Sequence, residues 1–238
     1  KQGSYKDAFH MFKVLIAREY DRHKDILKNG KISDSERDLF HSILNQRAED
    51  AFYLDSIKFL SDIMVKYYNK NVIILIDEYD VPLENAFHQG FYTDMVNLIR
   101  SVFESALKTN PSLDRAFLTG CLRVSKESIF TGLNNLQIFS IMSTKFDDSF
   151  GFTQEEINVM LECYDLTDKS SDIAHWYDGY KFNDVDIYNP WSVLNYLSEA
   201  AEKSSALCKP YWSNTSSNEI VKRLIEESND RTKNAIEE

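Results

Sequence analysis

A chain of 238 residues, 43% hydrophobic and 27% charged, holds enough apolar material for one large domain or two small ones, which excludes a disordered polymer. With 38 acidic residues against 27 basic, its net charge of -11 argues against a broad grip on a nucleic-acid backbone. No apolar run reaches membrane-spanning length and no secretory leader is recognisable. Cys121, Cys163 and Cys208 are too scattered for a disulfide frame or zinc site and are expected as reduced, mostly buried thiols of a cytoplasmic protein.

The first third has a helical period. Ala8, Phe12, Leu15, Ile16 and Tyr20 share one face of a helix that closes at Asn29-Gly30. Ser33 and Glu36 form an S-x-x-E capping box that opens a second helix before Leu39, Phe40, Ile43 and Leu44. A third is expected from about Glu49 to Tyr68, with Phe52, Ile57, Leu60, Ile63, Met64 and Tyr67 inward.

The period then changes. VIILI, Val72 to Ile76, is short, continuous and β-branched, as in a parallel strand covered on both faces. A helical stretch ends near Gly90, and a longer helix follows from about Phe91 to Lys108. After Asn110-Pro111, Arg115 to Thr119 is a second buried strand closed by Gly120, completing a βαβ unit. Ile138 to Met142 suggests a third strand.

From Gly151 onward the pattern is helical again. Thr153 and Glu156 make another capping box, and Asn189-Pro190 launches PWSVLNYLSEA. HWYDGYKF, between them, has the look of an anchored turn. A soft domain boundary falls near residue 150.

VIILI runs straight into Asp77, Glu78, Tyr79 and Asp80. A buried parallel strand delivers its last residues to the ligand-binding edge of an α/β sheet. There Asp77 can hold Mg2+ through water beside nucleotide phosphates, and Glu78 can polarise an attacking water. An apolar run followed by Asp-Glu is the Walker B pattern of P-loop ATPases; the plainer alternative is a core strand followed by an acidic turn. Thr119, ending the neighbouring strand, stands where such ATPases place a group that senses the γ-phosphate, although a hydroxyl capping the next turn fits equally. The partner motif GxxxxGK[ST] is missing from the 238 residues: Gly30-Lys31 is followed by Ile32 and lies after a helix, so it is a turn.

Other chemistries fare worse. A nuclease metal cluster at Asp77, Glu78 and Asp80 would also want an E-x-K on a paired strand. The five histidines show no HExxH spacing, and no GxSxG elbow exists. The aromatic clusters suit packing better than base stacking.

The ordered segments LIDEYDVPLENA, LTGCLRVSKESIFTGLNNL, FGFTQEE, WYDGYKF, YNPWSVLNYL and YWSNTSSNEI together resemble the AAA-ATPase-like family of bacterial and archaeal proteins. The resemblance covers essentially the whole chain. It implies a P-loop ATPase with its phosphate loop upstream of Lys1, often with a PD-(D/E)XK nuclease-like domain downstream of Glu238. It aligns Asp77 and Glu78 with the Walker B pair and Thr119 with the sensor strand. Arg123, Lys126, Ser128, Asn134 and Asn135 fall in the signature loop that follows; of these, Arg123, Lys126 and Asn134 are the expected nucleotide contacts.

The expected fold is therefore α/β: a partial P-loop (ASCE-type) parallel sheet flanked by helices over residues 1–150, lacking the phosphate loop, then a mainly helical lid or linker over 151–238. With Lys1 in place of a methionine and a polar run at the other end, the sequence is expected to be part of a longer protein. Mg2+ and ATP are its expected cofactors in the full-length protein, with weak or no binding by these residues alone. A sheet without its phosphate-loop strand should expose edges and apolar faces, to be covered by rearrangement, another chain such as a second copy, or a further segment. The competing expectation is a non-hydrolysing interaction scaffold.

Overall fold

The computed structural model describes residues 2–28, 30–121, 129–130, 133, 136–203 and 205–211. The chain divides into two units, Lys1–Leu136 and Gln137–Glu238.

The first unit opens with α1 (Tyr5–Arg22), capped by the Ser4 hydroxyl on the Asp7 N–H, and a 3-10 turn over Lys24–Lys28. The Ser33–Glu36 box forms and starts α2 (Asp34–Leu44), with the Glu36 carboxylate returning to the Ser33 N–H at 3.0 Å. The long helix expected over 49–68 is instead two, α3 (Asp50–Leu54) and α4 (Ser56–Tyr68). The break has a local cause: the Ser56 hydroxyl, fully buried, bonds the Tyr53 carbonyl at 2.7 Å, and the Tyr20 hydroxyl takes the Ser56 carbonyl at 2.7 Å. These four helices enclose Ile16, Tyr20, Ile26, Phe40, Ile43 and Tyr53. Leu15, Phe52 and Tyr67, expected inward, lie on the exposed side, because Ala17, Tyr53 and Ile63 turn the buried faces elsewhere.

β1 (Val72–Ile76) has the bounds read from the sequence and pairs in parallel with β2 (Leu113–Leu118), Leu75 opposite Phe117 and Ile76 opposite Leu118. Between them run α5 (Val81–Gln89), α6 (Tyr92–Phe103) and a π-helical turn over Glu104–Lys108. Ile76 and Leu118 pack on the core of Leu83, Ala86, Met95, Leu98 and Phe103. The strands are not covered on both faces, however. Ile73, Leu75 and Phe117 are 56%, 73% and 56% exposed, so the apolar run has one face on the core and one in solvent. A continuous apolar strand signals two buried faces, and in these residues only one is.

In the second unit the Thr153–Glu156 box starts α7 (Gln154–Cys163), and the Asn189 side chain caps α9 (Pro190–Glu202) on the Ser192 N–H. α8 (Ser170–Tyr177) precedes β3 (Asp178–Phe182) and β4 (Val185–Tyr188). HWYDGYKF thus contributes to an antiparallel hairpin rather than a simple turn, with Phe182 opposite Val185 and Asn183 at φ +52 in the connection. The strand expected over 138–142 is a turn. The Ser143 N–H bonds the Ser140 carbonyl, and the two serine hydroxyls take the N–H groups of Ser140 and Met142, diverting the backbone from a ladder. Ile157, Leu161, Ile173, Tyr188, Val193 and Tyr196 form the core.

The cysteines also depart from expectation. All three are free thiols, but Cys121 and Cys163 are exposed and Cys208 is half-buried.

Candidate functional site

β1 hands the chain to Asp77 and Glu78, both exposed; β2 hands it to Thr119 and Gly120. Because the strands are parallel and in register to Ile76–Leu118, these residues emerge side by side at the carboxyl edge. That edge is where open α/β sheets bind ligands.

Four hydrogen bonds stitch the two strand ends together, all through Thr119. Its N–H donates to the Ile76 carbonyl at 2.9 Å, and its carbonyl accepts from the Tyr79 N–H at 3.0 Å. Its hydroxyl donates to Asp77 Oδ1 and accepts from the Glu78 N–H at 3.3 Å. Glu78 itself sits at φ +52, in the left-handed region that a residue with a long side chain adopts at a cost of roughly 1–3 kcal/mol. Such conformations persist where surrounding bonds over-determine them, and they concentrate at functional sites.

Behind this edge, Asp80 is 3% exposed and forms the N-cap of α5, with Pro82 in the first turn. The Tyr79 ring meets Phe130 edge-on at 5.3 Å. Both side chains close over Gly120: a Cβ there would lie 2.7 Å from Tyr79 Cε1 and 2.8 Å from Asp80 Oδ1. Gly120 is thus a close-approach glycine, and Tyr79 and Asp80 wall the strand ends from behind, a role that their place in the sequence does not announce. The signal available was the unbroken run Asp77-Glu78-Tyr79-Asp80 facing a Thr-Gly pair.

The structure brings Asp77, Glu78 and Thr119 together. Arg123, Lys126, Ser128, Asn134 and Asn135 lie outside the described residues. Among the described residues no group of three or more His, Cys, Asp or Glu side chains could hold a metal ion. Asp77, a single exposed carboxylate, would hold a hydrated Mg2+ only together with water and a ligand's phosphate oxygens.

A second polar group sits in the other unit. Tyr177 accepts from the Lys209 N–H at 3.1 Å beside Cys208, whose thiol is pushed up by burial, while burial pushes Tyr196 up to about 12. Tyr177 and Tyr196 belong to the core of that unit and Cys208 packs against it.

The class these features define is α/β: a small parallel sheet with an acid-tipped strand beside a hydroxyl-tipped neighbour. The sequence model of the family described as "Predicted AAA-ATPase" matches residues 3–130, so the chain belongs to that family and carries an ATPase-like domain. It is also 27% identical over 159 residues to an "Uncharacterized protein in vnfD 5'region" of Azotobacter chroococcum mcd 1, a match covering 66% of this chain and 30% of that protein. The chain therefore corresponds to about 30% of the relative's length. No solved structure matches it. No described helix is long and apolar enough to cross a membrane.

Proposed function

We propose that these residues form the Walker B and sensor portion of an ATP-binding, ATP-hydrolysing P-loop-type domain that acts as a molecular switch for attached domains. Asp77 organises a hydrated Mg2+, Glu78 positions or deprotonates the attacking water, and Thr119 stands on the γ-phosphate side. The phosphate loop comes from another part of the full-length protein, its strand pairing along the free edge of β2. Arg123, Lys126 and Asn134 are the further nucleotide contacts. When bound, Mg2+ supplies Lewis-acid stabilisation of the phosphates.

The observation that carries this reading is the bond from the Thr119 hydroxyl to Asp77 at the carboxyl ends of two parallel neighbours. The exposed Ile73, Leu75 and Phe117 add support, since an ATPase sheet has layers on both faces and the described residues cover only one. In the full-length protein Glu78→Gln traps bound ATP and abolishes turnover; unchanged turnover contradicts the assignment. The 238-residue chain titrated with Mg-ATP binds weakly or not at all, and micromolar affinity would contradict the dependence on a separate phosphate loop.

A further inference from the structure

We infer that Thr119 is a positioning residue that acts on the nucleotide through Asp77 and the Glu78 backbone, not by touching phosphate. The inference rests on the Walker B reading above and revises what Thr119 does within it.

A threonine hydroxyl has one proton to donate and two lone pairs. Here the proton goes to Asp77 Oδ1 and a lone pair takes the Glu78 N–H. Contact with an anionic phosphate oxygen requires a donated proton, so direct sensing would strip Asp77 of its donor at the moment the carboxylate must face a hydrated cation. The existing arrangement does the opposite. It orients the Asp77 carboxylate, leaving its second oxygen for the metal's water shell. Partners that orient a metal-facing carboxylate from behind belong to the outer shell and set metal affinity.

The same hydroxyl sits on a kink. Glu78 holds φ +52 between an N–H bonded to Thr119 Oγ1 and a following N–H bonded to the Thr119 carbonyl. One residue therefore fixes both the carboxylate at 77 and the backbone from which the carboxylate at 78 projects. Backbone bonding alone could be provided by any residue at 119; the hydroxyl is what joins the two acids.

The test compares wild type, Thr119→Val, Thr119→Ser and Asp77→Asn in the full-length protein, measuring ATP and ADP binding across a Mg2+ titration. Thr119→Val, nearly isosteric at an exposed position, raises the Mg2+ needed for half-maximal ATP binding about 10-fold. It leaves the ATP-to-ADP preference unchanged, and Thr119→Ser behaves as wild type. Loss of the ATP-to-ADP preference in Thr119→Val with an unaltered Mg2+ requirement makes the residue a direct phosphate sensor and overturns the inference. So does wild-type behaviour of Thr119→Val in both measurements. Asp77→Asn is the separate arm: if it leaves Mg2+ dependence untouched, the Walker B reading itself fails. A second readout needs no nucleotide. In the 238-residue chain the Glu78 amide exchanges faster in Thr119→Val than in wild type or Thr119→Ser, and equal protection in all three overturns the role.

Discussion

The Thr119 hydroxyl bonds the Asp77 carboxylate across a sequence separation of 42 residues, at the point where two parallel strands end together. The kink at Glu78, the cap at Asp80 and the bare Cα of Gly120 all lie within the turns that leave the two strands.

The kink gives a first prediction, read from stability rather than activity. A left-handed residue with a side chain costs roughly 1–2 kcal/mol, and glycine avoids that cost while losing some unfolded-state advantage. Glu78→Gly should leave the 238-residue chain as stable as wild type or more so in urea unfolding, while Glu78→Val, β-branched, lowers stability. A glycine variant markedly weaker than wild type would contradict the backbone strain.

Gly120 makes the second. A methyl group there meets the Tyr79 ring and the Asp80 carboxylate below 3.0 Å; Phe130 backs the ring and Asp80 is buried. Gly120→Ala should cost about 1–3 kcal/mol of unfolding free energy, the usual range for overpacking. An unchanged midpoint would mean that Tyr79 and Asp80 do not close over this position.

The solvent face of the sheet makes the third. Leu75→Thr, at 73% exposure, should change the stability of the 238-residue chain by no more than about 0.5 kcal/mol, as exposed substitutions do. In the full-length protein the same change should cost roughly 1.5–3 kcal/mol if the proposed second layer covers this side chain. Equal small effects in both would leave the face bare and count against that layer.

A fourth concerns pH. The Lys66 ammonium and the Ser33 cap both hold the Glu36 carboxyl below its ordinary value of 4.5. A depressed carboxylate contributes stability above the unfolded-state pKa and loses it as pH falls through the folded one. The first unit should therefore weaken on acidification below about pH 4.5, and Glu36→Gln, which keeps a capping amide but no charge, should flatten that part of the profile. A thermal profile between pH 6 and 3 with the same slope in both proteins would contradict it.

The local grammar of this chain was legible in its sequence. Ser33–Glu36, Thr153–Glu156 and Asn189-Pro190 are short-range devices, and each opens a helix where its residues stand. The strand at 72–76 was equally plain, since five β-branched or aliphatic residues between polar flanks leave little choice. What escaped was set by contacts between elements. The break at Asp55 depends on Tyr20 reaching Ser56 from another helix. The hairpin at 178–188 was hidden because HWYDGYKF, taken alone, has the look of an anchored turn, and the connection at Asn183-Asp184 lies just beyond it. The exposure of Leu75 could not be seen locally, because the sequence pattern is that of a strand with two buried faces and these residues cover one.

The side-by-side placement of Asp77, Glu78 and Thr119 was legible from their strand-end positions. Tyr79, Asp80 and Gly120 were not weighed as supports, since nothing in their spacing tells that a side chain must close over the glycine.

The position of the metal ion can be mapped directly. Fe2+ substituted for Mg2+ in the ATP-bound full-length protein, with hydrogen peroxide as oxidant and ascorbate to recycle the iron, generates hydroxyl radicals that cut the backbone beside the ion, and mass spectrometry locates the cuts. The account predicts ATP-dependent cleavage at residues 76–80 and 118–121, absent in Asp77→Asn. Cleavage confined to other segments, or unaltered in that variant, would contradict it.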